Sequence, residues 1–198
     1  MHTTTTTRTL AIAAALSLGL TLAGCSTSNN TGSDAGSSAT SSSAASAHND
    51  QDVMFAQMML PHHEQAVEMS DVLLAKGDGV DPDVADLAEQ IKAEQGPEIT
   101  QLTSWLKDWD ADSSMSGMDH SMSGMMSDSD MSDLDQASAK HAGKLFLQQM
   151  VQHHEGAVDM AKTEVAEGGN TDAVAMARSI VSSQTEQITQ MQDMLASM

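Results

Sequence analysis

Between positions 115 and 126 the chain reads Met-Ser-Gly-Met-Asp-His-Ser-Met-Ser-Gly-Met-Met, five methionines and one histidine among small polar residues. Nothing apolar lies nearby in sequence for those side chains to pack against, so core filling does not account for them. What thioethers share with imidazole is affinity for soft metals, Cu(I) first among them. Met115, Met118, His120, Met122, Met125 and Met126 are the candidate ligands of this segment. Thioethers are neutral and bind Cu(I) without losing protons, so acid weakens them less than thiolates or imidazoles. Asp119, Asp128, Asp130 and Asp133 would concentrate cations but are poor direct ligands for Cu(I). The bland alternative is a linker rich in Met through composition alone.

Two adjacent histidine pairs form a second group, each embedded in a version of one longer pattern. Phe55-Ala-Gln-Met-Met-Leu-Pro-His-His-Glu-Gln-Ala-Val-Glu-Met69 aligns without a gap with Phe146-Leu-Gln-Gln-Met-Val-Gln-His-His-Glu-Gly-Ala-Val-Asp-Met160. Downstream, Ile91, Gln95 and Ile99-Thr-Gln101 match Ile180, Gln184 and Ile188-Thr-Gln190, with the spacing shorter by two residues in the second copy. Duplication of one unit explains both blocks. At helical spacing Phe55, Met59, His62, Ala66, Met69 and Leu73 share one face, and Phe146, Met150, His153, Ala157, Met160 and Glu164 share the equivalent one. His63 and His154 fall at the border of those faces. If the two faces meet across a pseudo-twofold axis, four imidazoles gather with Met59, Met69, Met150 and Met160. Methionine at helical spacing is ordinarily core, but burying four imidazoles without partners is costly, and neutral imidazole suits copper or zinc. Glu64 and Glu155 read as solvent-facing charges, with orientation of the imidazoles as the alternative.

The elements that would position these groups are helical. Ala, Gln, Met and Leu abound while aromatics are 2% of the chain, which favours helix over strand. Gly77-Asp-Gly79 and Gly168-Gly-Asn170 break each unit into two helices, and Asp81-Pro82 supplies a helix start. Two hairpins, at about 50–110 and 133–198, predict an all-α antiparallel four-helix bundle, with a Met-rich insert at 111–132. Pro61 and Pro97 fall inside helices of the first copy where the second has Gln152 and Glu186. The spacing favours kinked continuous helices, with a helix start near Pro61 as the alternative.

The motif Met-x-x-His-His-x-x-Ala-Val-x-Met, at Met59–Met69 and Met150–Met160, resembles the domain of unknown function family 305. So does the Gln95, Glu98-Ile99, Trp105-Leu106 pattern. The resemblance implies a ferritin-like four-helix bundle, commonly exported, some of whose members bind copper. It runs from about Asp52 to Leu195 apart from the insert. The second copy departs from it at Gln187 and Met194-Leu195, which read as packing positions. The insert is similar to the Met/His-rich repeats of exported copper-resistance proteins.

Ahead of the bundle, Arg8, the apolar run Leu10–Leu22 and Leu22-Ala-Gly-Cys25 resemble a bacterial lipoprotein signal, with residues 1–24 removed and Cys25 lipidated. A plain signal peptide is the alternative; the run is short for a membrane span. Residues 25–49, rich in Ser and Ala, read as a flexible tether. The expected location is the outer face of the bacterial cytoplasmic membrane or the cell envelope. Cys25 is the only cysteine, so no thiol is left for a disulfide, a thiolate site or a nucleophile. The formal net charge of −20 disfavours nucleic acid and anionic lipid and favours cations.

These residues predict an extracytoplasmic, lipid-anchored protein that sequesters or relays copper, as Cu(I) first and Cu(II) second. Its expected partners are copper ions and other copper-handling proteins. No catalytic residue is assigned. A di-iron oxidase would need Glu-x-x-His, which is absent, and a copper oxidase would leave no signature. A metal-free structural or partner-binding bundle is the remaining alternative.

Overall fold

Helix α1 spans Asp50–Leu74, α2 Pro82–Asp108, α3 Asp128–Gln136, α4 Ala139–Glu167 and α5 Thr171–Ser197. These come from a computed structural model that describes residues 47–113 and 122–198. The signal segment, Cys25 and most of the tether lie outside the described residues, as do Met115, Met118 and His120. Among the described residues there is no strand, and no helix is long and apolar enough to cross a membrane.

Four of the five α-helix starts are capped by a side chain, α4 being the exception. The Asn49 side chain accepts hydrogen bonds from the Gln51 and Asp52 backbones, Asp81 caps α2 ahead of Pro82, and Asn170 caps α5. These side chains satisfy amide donors that the first turn leaves free. α1 pairs with α2 and α4 with α5, while α1 also packs on α4. The two predicted hairpins therefore meet through their His-bearing helices. The shorter spacing of the second copy lies in the connections, where a 3-10 turn at Gly77–Gly79 has no counterpart between α4 and α5. α1 runs unbroken through Pro61 and α2 through Pro97, so a helix start at Pro61 does not occur.

One element departs from expectation. A fifth helix, α3, begins inside the Met-rich insert placed at 111–132 and continues past 133. Ser127 and Asp130 form a reciprocal capping box, in which the Asp130 carboxylate accepts from Ser127 N at 2.9 Å. Leu134 is fully buried, and α3 leans on both α1 and α4. The polar composition of the segment hid a helix that one anchored leucine and a good cap suffice to hold.

The core falls into two clusters. One contains Met69, Leu73, Leu87, Ile91, Phe146 and Met150; the other contains Phe55, Met59, Leu102, Trp105, Ala157 and Ile180, with Met160 packed against it. Each cluster thus takes methionines from both copies, Met69 with Met150 and Met59 with Met160. The four histidines belong to neither cluster. Along both α1 and α4 they fall between the residues of one cluster and those of the other, forming a polar layer across the bundle.

Candidate metal centre

His62, His63, His153 and His154 are all buried, at no more than 1% exposure. The rings of His62 and His153 lie against each other, with centroids 3.7 Å apart and planes tilted by 39°. Neither nitrogen of either ring has a hydrogen-bond partner. His63 and His154, expected at the border of the inward faces, instead point wholly inward toward the second helix of their own hairpins.

There they meet equivalent partners. His63 Nε2 lies 2.8 Å from Glu98 Oε2, and His154 Nε2 lies 2.8 Å from Gln187 Oε1. Gln187 Nε2 in turn donates to Glu94 Oε2 at 2.9 Å. A carboxylate only accepts, so this last bond turns the amide oxygen of Gln187 toward His154. Both Nε2 atoms therefore carry hydrogen, and the Nδ1 lone pairs of His63 and His154 are left without partners. Histidines that ligate metals are commonly held this way, one nitrogen fixed by a carboxylate or amide and the other turned to the metal. Positions 98 and 187 were expected to be packing positions; they are the groups that orient the imidazoles. The signal lay in the second repeated block, where the two differ only as acid and amide.

Electrostatics keep three of these imidazoles neutral. Burial, helped by His63 and His154, pushes His62 down to about 3. The Ser123 backbone faces His62 and opposes that shift without the geometry of a full hydrogen bond. Burial, with His62 next in weight, holds His153 well below the ordinary imidazole range. For His154 burial outweighs the Gln187 hydrogen bond and gives about 4. Unprotonated imidazoles are ready ligands that release no protons on binding near neutral pH.

Met59, Met69 and Met150 are fully buried on either side of this layer, whereas Met160 is only half-buried and departs from the expected inward set. Glu64 and Glu155 are exposed, as read from the sequence. Gln95 and Gln184, equivalent in the two copies, are also buried with unpaired amide atoms. Among the described residues, no three His, Asp or Glu donors converge on one point. A metal would therefore need the closely apposed His62 and His153 rings to part, or thioethers to complete its shell. Of the insert, Met122 and Met125 are half-exposed and Met126 is buried.

Fold and layer together define a class, an all-helical bundle of two duplicated hairpins that buries paired histidines between methionines. The chain belongs to the DUF305 family, a domain of unknown function, which matches residues 52–195. A DUF305 protein of Streptomyces coelicolor described as secreted is similar in structure, with 35% identity, a TM-score of 0.69 and coverage of 74% of this chain and 93% of that one. A DUF305 fragment from Deinococcus radiodurans gives 27%, 0.69, 76% and 99% in the same order. CopM in its Cu(I)-bound form gives 26%, 0.63, 74% and 96%. CopM is also solved with Cu(II) and with silver. No curated protein sequence matches the chain.

Proposed function

We propose that this protein binds copper outside the cytoplasm and sequesters or relays it, with the buried histidine layer as its ordered site. The single observation that carries the reading is the set of ring nitrogens of His62, His63, His153 and His154 left unpaired inside the bundle. Leaving buried polar atoms unpaired is unfavourable, and a coordinated metal would satisfy them. Met59, Met69 and Met150 offer thioethers for Cu(I), with half-buried Met160 at the edge of the set, and the imidazoles also suit Cu(II). The copper and silver complexes of CopM, which shares this fold, support the assignment. Met115, Met118, His120, Met122, Met125 and Met126 serve as a capture segment ahead of that site. The Streptomyces relative described as secreted agrees with export, and lipidation at Cys25 would hold the domain at the membrane.

Titration of the mature protein with Cu(I) against a chromogenic chelator tests the reading. Wild type is expected to withhold copper from the chelator, and His62→Gln/His153→Gln to lose at least about tenfold in affinity, or ~1.4 kcal/mol. Equal affinities in the two proteins would sink it. For the anchor, Cys25→Ser is expected to move the protein from the membrane fraction to the soluble one.

A further inference from the structure

The limb of the insert that returns to the bundle, Met122–Ser127, is seated on the histidine layer, and the seat depends on one position where the two copies differ. Gln65 and Gly156 stand at equivalent places, three residues after His62 and His153. Gln65 clamps Met126 by both backbone atoms, donating from Nε2 to Met126 O at 2.9 Å and accepting from Met126 N at 2.7 Å. Gly156 leaves the space that the limb occupies: a Cβ there would overlap the Ser123 carbonyl. Gly124 turns with φ +85° directly against α4, where its own Cβ would lie 2.7 Å from Gln152 O and 3.0 Å from His153 O. The Ser123 backbone faces His62.

This seating ranks three thioethers by depth. Met122 and Met125 are half-exposed, while Met126 is 9% exposed and belongs to the core cluster that contains Met69 and Met150. Those two methionines border the histidine layer. Neutral thioethers exchange Cu(I) with one another without protons or electrons moving, each new Cu–S bond forming as another breaks.

Resting on the copper-binding reading above, we propose that the seated limb is the way in for Cu(I), and that Met126 passes the ion from the exposed methionines to the buried site. Gln65 and Gly156 are positioning residues that hold the limb in place. The experiment is stopped-flow transfer of Cu(I) from its bicinchoninate complex to the full mature protein, with equilibrium affinity measured in parallel. Met126→Leu keeps the volume and removes the sulfur. It is expected to slow loading by at least about tenfold, ~1.4 kcal/mol in the barrier, with the affinity of the histidine site unchanged. Gly156→Ala, which unseats the limb, is expected to slow loading similarly. Gly96→Ala, where an added Cβ meets nothing within 4 Å, is the control and should load like wild type. Wild-type loading rates in both Met126→Leu and Gly156→Ala overturn the proposal, as does faster loading in Gly156→Ala, which would make the limb a cover. Lowered affinity at an unchanged rate in Met126→Leu makes that sulfur a ligand of the site and overturns its role in transfer. If instead His62→Gln/His153→Gln binds copper as wild type does, the copper site itself is wrong and this inference falls with it.

Discussion

A neutral imidazole offers one donor and one acceptor, and the tilted, closely apposed His62–His153 pair satisfies neither on either ring. Unmet buried polar groups cost about 1–3 kcal/mol each, whereas apolar replacements of similar shape are often neutral or stabilising. The double variant His62→Leu/His153→Leu is therefore expected to melt no lower than wild type without copper, and to lose the rise in Tm that copper gives wild type. A variant that melts lower yet still responds to copper would show the pair to be a structural polar core. Glu98 carries a second expectation. Glu98→Ala leaves His63 Nε2 unpaired and its ring unfixed, and should weaken copper binding by about 10–100-fold, the usual cost of losing an orienting group. At this scale the sequence was only partly legible. Helical spacing placed His62 and His153 inward, but the roles of Glu98 and Gln187 depend on which face of α2 and α5 meets the layer. Their difference between the copies looked like drift in packing, and only the fold shows them in equivalent bonds. Met160 misled in the other direction, because its spacing from His153 gave no hint that α4 turns it partly to solvent.

Duplication makes each helix of one hairpin a control for its counterpart, and the differences carry the information. α1 and α4 both hold the histidine layer, yet α1 does so across Pro61 where α4 has Gln152. Proline removes the hydrogen bond to the Gln57 carbonyl and crowds the preceding turn, a penalty of ~3 kcal/mol in a helix interior. The fold tolerates it because packing of α1 on both α2 and α4 outweighs local propensity. Pro61→Gln, which restores the residue of the second copy, is expected to raise stability by about 1–3 kcal/mol in urea unfolding. No gain would mean that the neighbouring turns had already absorbed the defect. The hairpins and their pairing were legible because a repeated 3.6-residue pattern, two glycine breaks and an Asp-Pro start agree with one another. α3 was not, since eight of its nine residues are partly or fully exposed and its periodicity is carried by Leu134 alone.

Across the whole molecule, the buried titratable groups pull stability in opposite directions with pH. His62 and His154 sit at about 3 and about 4 against an ordinary 6.5, and His153 is lowered as well. The unfolded chain therefore binds more protons than the fold as pH falls below 6.5, and stability is lost on acidification through that window. Glu164 does the reverse. It is fully buried between α4 and the start of α1, and neither of its oxygens makes a well-formed hydrogen bond. Burial first, then the adjacent Asp52, raises it from 4.5 to about 8. Asp52 stays charged because it accepts from the Asn49, Gly169 and Asn170 backbones, which tie the start of α1 to the α4–α5 connection. Between pH 4.5 and about 8 the fold holds a proton on Glu164 that the unfolded chain has released, so this contribution is full below 4.5 and gone above 8. Three histidines outweigh one glutamate on the acid side, and Glu164 dominates only once the unfolded histidines have lost most of their protons, above about pH 7. The metal-free protein is thus expected to be most stable at about pH 7. It should lose on the order of 2 kcal/mol per pH unit below pH 6 and decline more gently toward pH 8. Calorimetry across pH 4–9 in a chelator checks the shape, and Glu164→Gln checks the cause. That variant keeps a neutral group of the same size, so it should abolish the decline between about pH 7 and 8 while leaving the acid limb in place. An alkaline decline that persists in Glu164→Gln would place the responsible proton elsewhere and remove the carboxyl pair from the account of how the tether end of the bundle is held.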